Sequence, residues 1–181
     1  MRQQIASIAL VVVSTCPSAQ VVRTHCEATE VTYFNCLLRG STKVASVCGA
    51  GYDLERKAAG YLQYRYGNVG SVELAFPSTL DSASLIDRFN FSSVRTADNV
   101  QSDRKLEFRN DGYGYSVYYS EEATKSGRIK ASSGILVWKN TDRKDVKNTS
   151  CRNSDAGEAL LLDHVVRLLA TPDHKWYRQL Y

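Results

Sequence analysis

The sequence predicts a mainly β protein: an antiparallel meander forming a sandwich or barrel-like sheet, with one C-terminal amphipathic helix. Three observations carry that expectation. Short stretches alternate apolar and polar residues with the two-residue period of a half-buried strand. Gly-, Asn- and Asp-bearing turns separate them. A single stretch near the C-terminus changes to the helical period.

The elements follow in order. Thr32 to Leu38 is rich in aromatic and apolar residues, Arg39–Thr42 turns the chain, and Lys43 to Cys48 returns. Tyr61 to Tyr66 alternates, with Leu62, Tyr64 and Tyr66 on the face expected to be buried and Gln63 and Arg65 on the other. Gly67–Gly70 is a turn, and Val72 to Phe76 runs on until Pro77 stops it. Asp81 to Asn99 is Ser-rich and reads as irregular, a short helix or a long loop. Lys105 to Arg109 and Tyr113 to Tyr119 flank Asn110-Asp111-Gly112, whose residues tolerate the positive φ of a tight hairpin. Gly134 to Trp138 is a further strand, and polar Asn140–Asn148 reads as a loop. Asp155 to Ala170 is the helix: Asp155 and Glu158 form a capping pair, the leucines and valines share one face, and Thr171-Pro172 ends it.

The N-terminus has a different logic. Arg2 precedes a nine-residue hydrophobic stretch, Ile5–Val13, and then small residues through Ala19. That is the order of a secretory signal peptide, read as residues 1–19, followed by one β-rich domain over 20–181. The stretch is far shorter than the about 20 residues that cross a bilayer, so no transmembrane segment is expected. Cys16 is a weaker candidate for lipid anchoring, because Thr15 is a poor residue before a lipidated cysteine. Without the signal, four cysteines remain: Cys26, Cys36, Cys48 and Cys151. An even number in an exported chain suggests two disulfides and a periplasmic or secreted location. Three pairings exist. Placing Cys36 and Cys48 on neighbouring strands favours joining them, which leaves Cys26 with Cys151.

Composition narrows the function. Of 181 residues, 23 are Lys or Arg and 19 are Asp or Glu, and a net charge of +4 is too mild for a nucleic-acid surface. No Cys-x-x-Cys pair exists, and the three histidines, His25, His164 and His174, are far apart in sequence and expected to be solvated. No metal or cofactor is expected. Gly-x-Ser-x-Gly is absent, and Gly67–Ser71 lacks the Lys of a phosphate loop. Glu121 and Glu122 could form a carboxylate pair for glycoside cleavage, but adjacent residues on a strand would point to opposite faces, and a charged loop is the better reading. The chain therefore reads as a non-enzyme. Its unusual residue is tyrosine: seven of eleven fall in 61–66 and 113–119. Tyr offers large contact area with a polar tip, which suits a binding face, although it also packs well across strands. Tyr61, Arg65, Tyr113 and Tyr115 are the candidate binding residues, with Arg65 and Gln63 sharing an exposed face beside Tyr61.

Four segments carry a resemblance: Phe34-Asn35-Cys36, Lys43–Cys48, Gly60–Gly67 and Val72–Pro77. They resemble a group of secreted proteins of Gram-negative bacteria that share a phenylalanine–cysteine strand, a lysine-to-cysteine strand and a GYLQYR-G…VEL-FP hairpin. Gly112–Tyr118 also fits, and the likeness runs over about 33–119, more loosely to Cys151. More distantly, the chain is similar to periplasmic inhibitors of lysozyme-like hydrolases and immunity proteins against peptidoglycan-cleaving toxins. That resemblance implies a protein partner, a cell-wall hydrolase, often engaged through a Ser-Gly-x-Tyr loop. Here Ser126–Ile129 and Ser133–Leu136 begin that motif and neither ends in Tyr. The alternative is a structural or envelope-associated lipoprotein with no enzyme partner.

Overall fold

The computed structural model describes residues 23–50, 60–80, 88–97, 100–139, 143 and 145–152. The expected signal peptide, Cys16 and the 155–170 helix lie outside the described residues. Among the described residues, nine strands form two antiparallel meanders. The first sheet is β1 (Val31–Leu37), β2 (Lys43–Ala50), β3 (Tyr61–Asn68) and β4 (Ser71–Phe76). The second is β5 (Asn90–Arg95), β6 (Gln101–Asn110), β7 (Tyr113–Ala123), β8 (Ile129–Lys139) and β9 (Val146–Ser150). Strand order in each sheet is sequence order, as turns of two to five residues between most neighbours require. The mainly β expectation holds.

The β6–β7 turn shows how local sequence sets register. Asp111 and Gly112 both take positive φ, 49° and 77°, and Asn110 pairs with Tyr113 across them. This two-residue turn matches the twist of the flanking strands. It fixes pairing all the way from Asn110–Tyr113 to Gln101–Glu122.

The two sheets face each other through aromatic side chains. Leu62 and Tyr64 on β3 are buried and Tyr66 is half-buried, so the expected inward face of that strand is the one observed. Tyr64 meets Phe108 of β6 at 5.0 Å between ring centres. Phe108 in turn stacks on Phe76 at 4.5 Å and on Tyr115 at 4.9 Å. Phe34, Val47, Leu106, Val117 and Tyr119 complete a core shared by both sheets. Burial of large aromatic area of this kind is the main driving force for the layered arrangement.

Two strands were not expected. β5 lies within the stretch read as irregular, and β9 occupies the end of the stretch read as a loop. Both are edge strands. An edge strand needs few apolar residues: on β5 Phe91 turns inward opposite Leu106 while Val94 is 60% exposed, and on β9 only Thr149 is half-buried. Their alternation is too weak to separate from loop composition.

The disulfide pairing also differs from the expected one. Cys26 is joined to Cys48 and Cys36 to Cys151. Cys36 and Cys48 do lie on neighbouring strands, but Cys36 sits opposite Ala45 and Cys48 opposite Thr32. A bulge at Tyr33 separates these positions and the pleat turns the two side chains to opposite faces of the sheet. Cys36 points into the space between the sheets and reaches Cys151 just beyond β9. Backbone bonds reinforce this join: Arg39 N donates to Ser150 O at 2.9 Å and Arg152 N to Leu37 O at 2.8 Å. Cys48 points the other way, where Cys26 meets it.

Candidate functional site

The outer face of the first sheet is polar and covered. Residues 23–30 cross it, tethered by Cys26–Cys48. Beneath them Ser46 Oγ donates to Asn35 Oδ1 at 2.9 Å and accepts the His25 amide at 3.1 Å. Asn35 Nδ2 donates to the Arg23 carbonyl at 2.9 Å, and His25 Nε2 donates to the Gly67 carbonyl at 3.1 Å. His25 is thus buried and hydrogen-bonded, not solvated as expected.

Arg65 is the centre of this network, and its exposed placement does not hold. Its guanidinium grips Glu30 with two bonds of 2.7 Å. It also donates to the His25 carbonyl at 2.7 Å and, through Nε, to Gln63 Oε1 at 2.6 Å. Gln63 passes the chain on by donating to the Pro77 carbonyl at 2.8 Å. Tyr61 Oη donates to the remaining side of Glu30 at 2.6 Å. The side chains of Arg65 and Glu30 are 11% and 3% exposed, so this is a dry bidentate pair. Strand alternation had separated the faces of β3 correctly. It could not show that residues 23–30 would fold back over the polar one.

Burial alone would raise the Glu30 carboxyl, but the hydrogen bonds of Arg65, Tyr61 and the Glu27 amide, with the Arg65 charge, hold it below its ordinary value of 4.5. Burial and the bond to Glu30 push the Tyr61 hydroxyl up to about 12. A depressed carboxyl means that the unfolded chain takes up the proton first as pH falls. Stability from this group is therefore complete above 4.5 and disappears as pH drops through the lower folded value. Acid titration of the unfolding midpoint should show that loss below about pH 4.5, and Glu30→Gln should flatten it. An unchanged acid limb in Glu30→Gln would place the acid sensitivity elsewhere.

Cys26, Glu30 and Cys48 also lie close enough to suggest a metal site. The two sulfurs are bonded to each other and the carboxylate is taken up by Arg65 and Tyr61, so the trio offers no free ligand. Glu121 and Glu122 do not converge: Glu121 accepts from Tyr119 Oη at 3.0 Å and pairs with Arg104 at 3.2 Å, while Glu122 is exposed.

The opposite side of the first sheet holds an open feature. Between the sheets, at the end marked by the β6–β7 turn, lies a cleft of about 490 Å³. Tyr64 and Tyr66 of β3 enter it from one sheet and Tyr113 and Tyr115 of β7 from the other. Leu74, Ile135 and Val137 form its apolar part. Glu73, Asn110, Asp111, Lys147 and Thr149 supply the polar groups. Tyr113 is 40% exposed at the mouth. Tyr115 is fixed by its stack on Phe108, and burial together with the negative charge of Asp111 raises its hydroxyl above the ordinary value. Glu73 is bound by Lys43 Nζ at 2.6 Å, and the same ammonium lies 5.2 Å over the Tyr66 ring.

The four candidate residues therefore separate into two places. Tyr113 and Tyr115 lie in the cleft, joined there by Tyr64 and Tyr66. Tyr61 and Arg65 belong to the covered network behind it. Lys147 and Thr149 were missed because β9 was not recognised. Asp111 and Asn110 had been read as turn residues only, yet the tight turn places them at the mouth. No known protein family, curated protein or solved structure matches the chain.

Among the described residues, no helix is long and apolar enough to cross a membrane. The two disulfides fit an oxidising extracellular or periplasmic compartment.

Proposed function

We propose that the protein is an exported binding protein of the cell envelope, with a cell-wall hydrolase as its partner, and that it works through the tyrosine-lined cleft. The cleft carries this reading: it is open to solvent, preformed by stacked rings, and lined by tyrosines whose hydroxyls accompany mixed polar groups. Such concave, mostly apolar sites with a few convergent polar atoms are where proteins take ligands. The resemblance to periplasmic hydrolase inhibitors and immunity proteins supports the choice of partner, and the disulfides support export. Neither Ser-Gly segment completes the Ser-Gly-x-Tyr motif of such inhibitors. Ser126-Gly127 is the exposed turn between β7 and β8, with Gly127 at φ 77°, and Ser133-Gly134 lies within β8.

The test is binding and protection. The purified protein is titrated against a panel of lysozyme-type hydrolases, and cells expressing it are challenged with them. Tyr113→Ala should weaken the complex at least tenfold, about 1.4 kcal/mol, with the melting temperature unchanged. Absence of binding to every enzyme, together with absence of protection, removes the hydrolase as partner.

A further inference from the structure

We infer that the tyrosine cleft is a seat for an uncharged glycan, a short stretch of hexopyranose units. This rests on the reading above that the cleft is the working site, and it assigns that site a ligand of its own, distinct from the hydrolase.

The charge at the mouth is the first argument. Lys43 pairs with Glu73 at 2.6 Å, so among the described lining residues Asp111 is the carboxylate and Lys147 the ammonium outside that pair. An anionic ligand meets Asp111, and a cationic one meets Lys147. With one such charge of each sign, the charge count favours neither an anionic nor a cationic ligand. A neutral ligand rich in hydroxyls instead uses all of these groups as donors and acceptors. Asp111 accepts from a hydroxyl, Lys147 donates to one, and Asn110 does both.

The second argument is shape and surface. A pyranose has an apolar face of C–H bonds and an edge of hydroxyls. Tyrosine presents the matching pair, a flat apolar ring and a polar tip. Tyr115 stacks on Phe108 at an interplanar angle of 5°, which makes it a fixed platform, and Tyr113, 40% exposed, offers a second ring at the mouth. A volume of about 490 Å³ lies within the range of small-ligand sites, about 300–1,000 Å³.

The test is a titration of the 15N-labelled disulfide-bonded protein with cellotetraose and chitotetraose, followed by amide shifts, with an anionic hyaluronan tetrasaccharide as the charge control. The expected result is saturable shifts at Tyr113, Tyr115, Lys147 and Thr149 with at least one neutral oligomer, and weaker ones with the anionic one. Tyr113→Ala should weaken binding at least tenfold at unchanged melting temperature, about 1.4 kcal/mol. Tyr118→Ala, on the outer face of the second sheet, should bind as the parent does. No shift with either neutral oligomer up to about 10 mM, a concentration at which even millimolar binding shows, overturns the glycan seat. So does a preference for the anionic oligomer. A hydrolase from the panel that shifts the same amides while the sugars do not overturns the glycan seat and leaves the cleft as a protein-binding site. Silence from both sugars and hydrolases overturns the two readings together.

Discussion

Removing the Cys36–Cys151 bond is expected to destabilise the protein more than removing Cys26–Cys48. The first closes a loop of 115 residues and the second one of 22. Cross-linking stabilises by restricting the unfolded chain, by about 3 kcal/mol for a loop of some 15 residues and about 4.7 for some 100. The Cys36→Ala/Cys151→Ala double variant should therefore lose about 4–5 kcal/mol. It also gives up the disulfide that ties β1 of the first sheet to the residue just beyond β9 of the second. Chemical denaturation of both double variants without reductant measures the difference. If the 26/48 variant is the less stable of the two, the sheets hold together without the long cross-link. Non-reducing peptide mapping of the parent should recover Cys26 with Cys48 and Cys36 with Cys151.

Arg65→Ala should be nearly as costly. Truncation leaves Glu30, 3% exposed at its side chain, with a buried charge whose bidentate guanidinium partner is gone. Breaking one side of a buried pair costs about 3–5 kcal/mol, whereas a surface arginine on a strand costs nearly nothing. The gap between Arg65→Ala and the parent should narrow in acid, because protonated Glu30 no longer needs the cation. Replacing both partners with apolar residues, Arg65→Met with Glu30→Leu, should recover much of the loss, since it removes both desolvated charges at once. A change under about 0.5 kcal/mol in Arg65→Ala, the range of ordinary surface substitutions, would mean that residues 23–30 do not cover this face in solution.

Seven of the nine described strands were legible, some from alternation of large inward residues, as in Leu62-Gln63-Tyr64 or Leu106-Glu107-Phe108, and others from short apolar runs bounded by turns, as in Thr32–Leu38 and Gly134–Trp138. The β6–β7 hairpin was legible from Asp111-Gly112 alone. What escaped was set by tertiary context. β5 and β9 gain their structure from a neighbour's hydrogen bonds rather than from their own apolar period. The polarity of Gln63 and Arg65 announced a face unlike that of Tyr64, but polarity signals water only when nothing polar covers it. The cover here is a segment without period, whose role depends on Glu30 reaching an arginine 35 positions away. The cleft was half legible: Tyr113 and Tyr115 could be named, but their meeting with Tyr64, Tyr66 and Lys147 requires knowing how the two meanders face each other.

The opposite orientations of Cys36 and Cys48 bear on how the thiols become oxidised. Once β1 and β2 have paired, the pleat holds these two sulfurs on opposite sides of a sheet, and the wrong bond between them is closed to exchange. Cys48 can then find only what passes over the outer face, which is Cys26 from the preceding segment. Cys36 must wait for Cys151, which is synthesised after both meanders and arrives only when the second has been laid against the first. Hairpin formation thus acts as a proofreader of the thiols. An oxidant that acts before β1 and β2 have zipped together should trap the Cys36–Cys48 isomer, and one that acts afterwards should not.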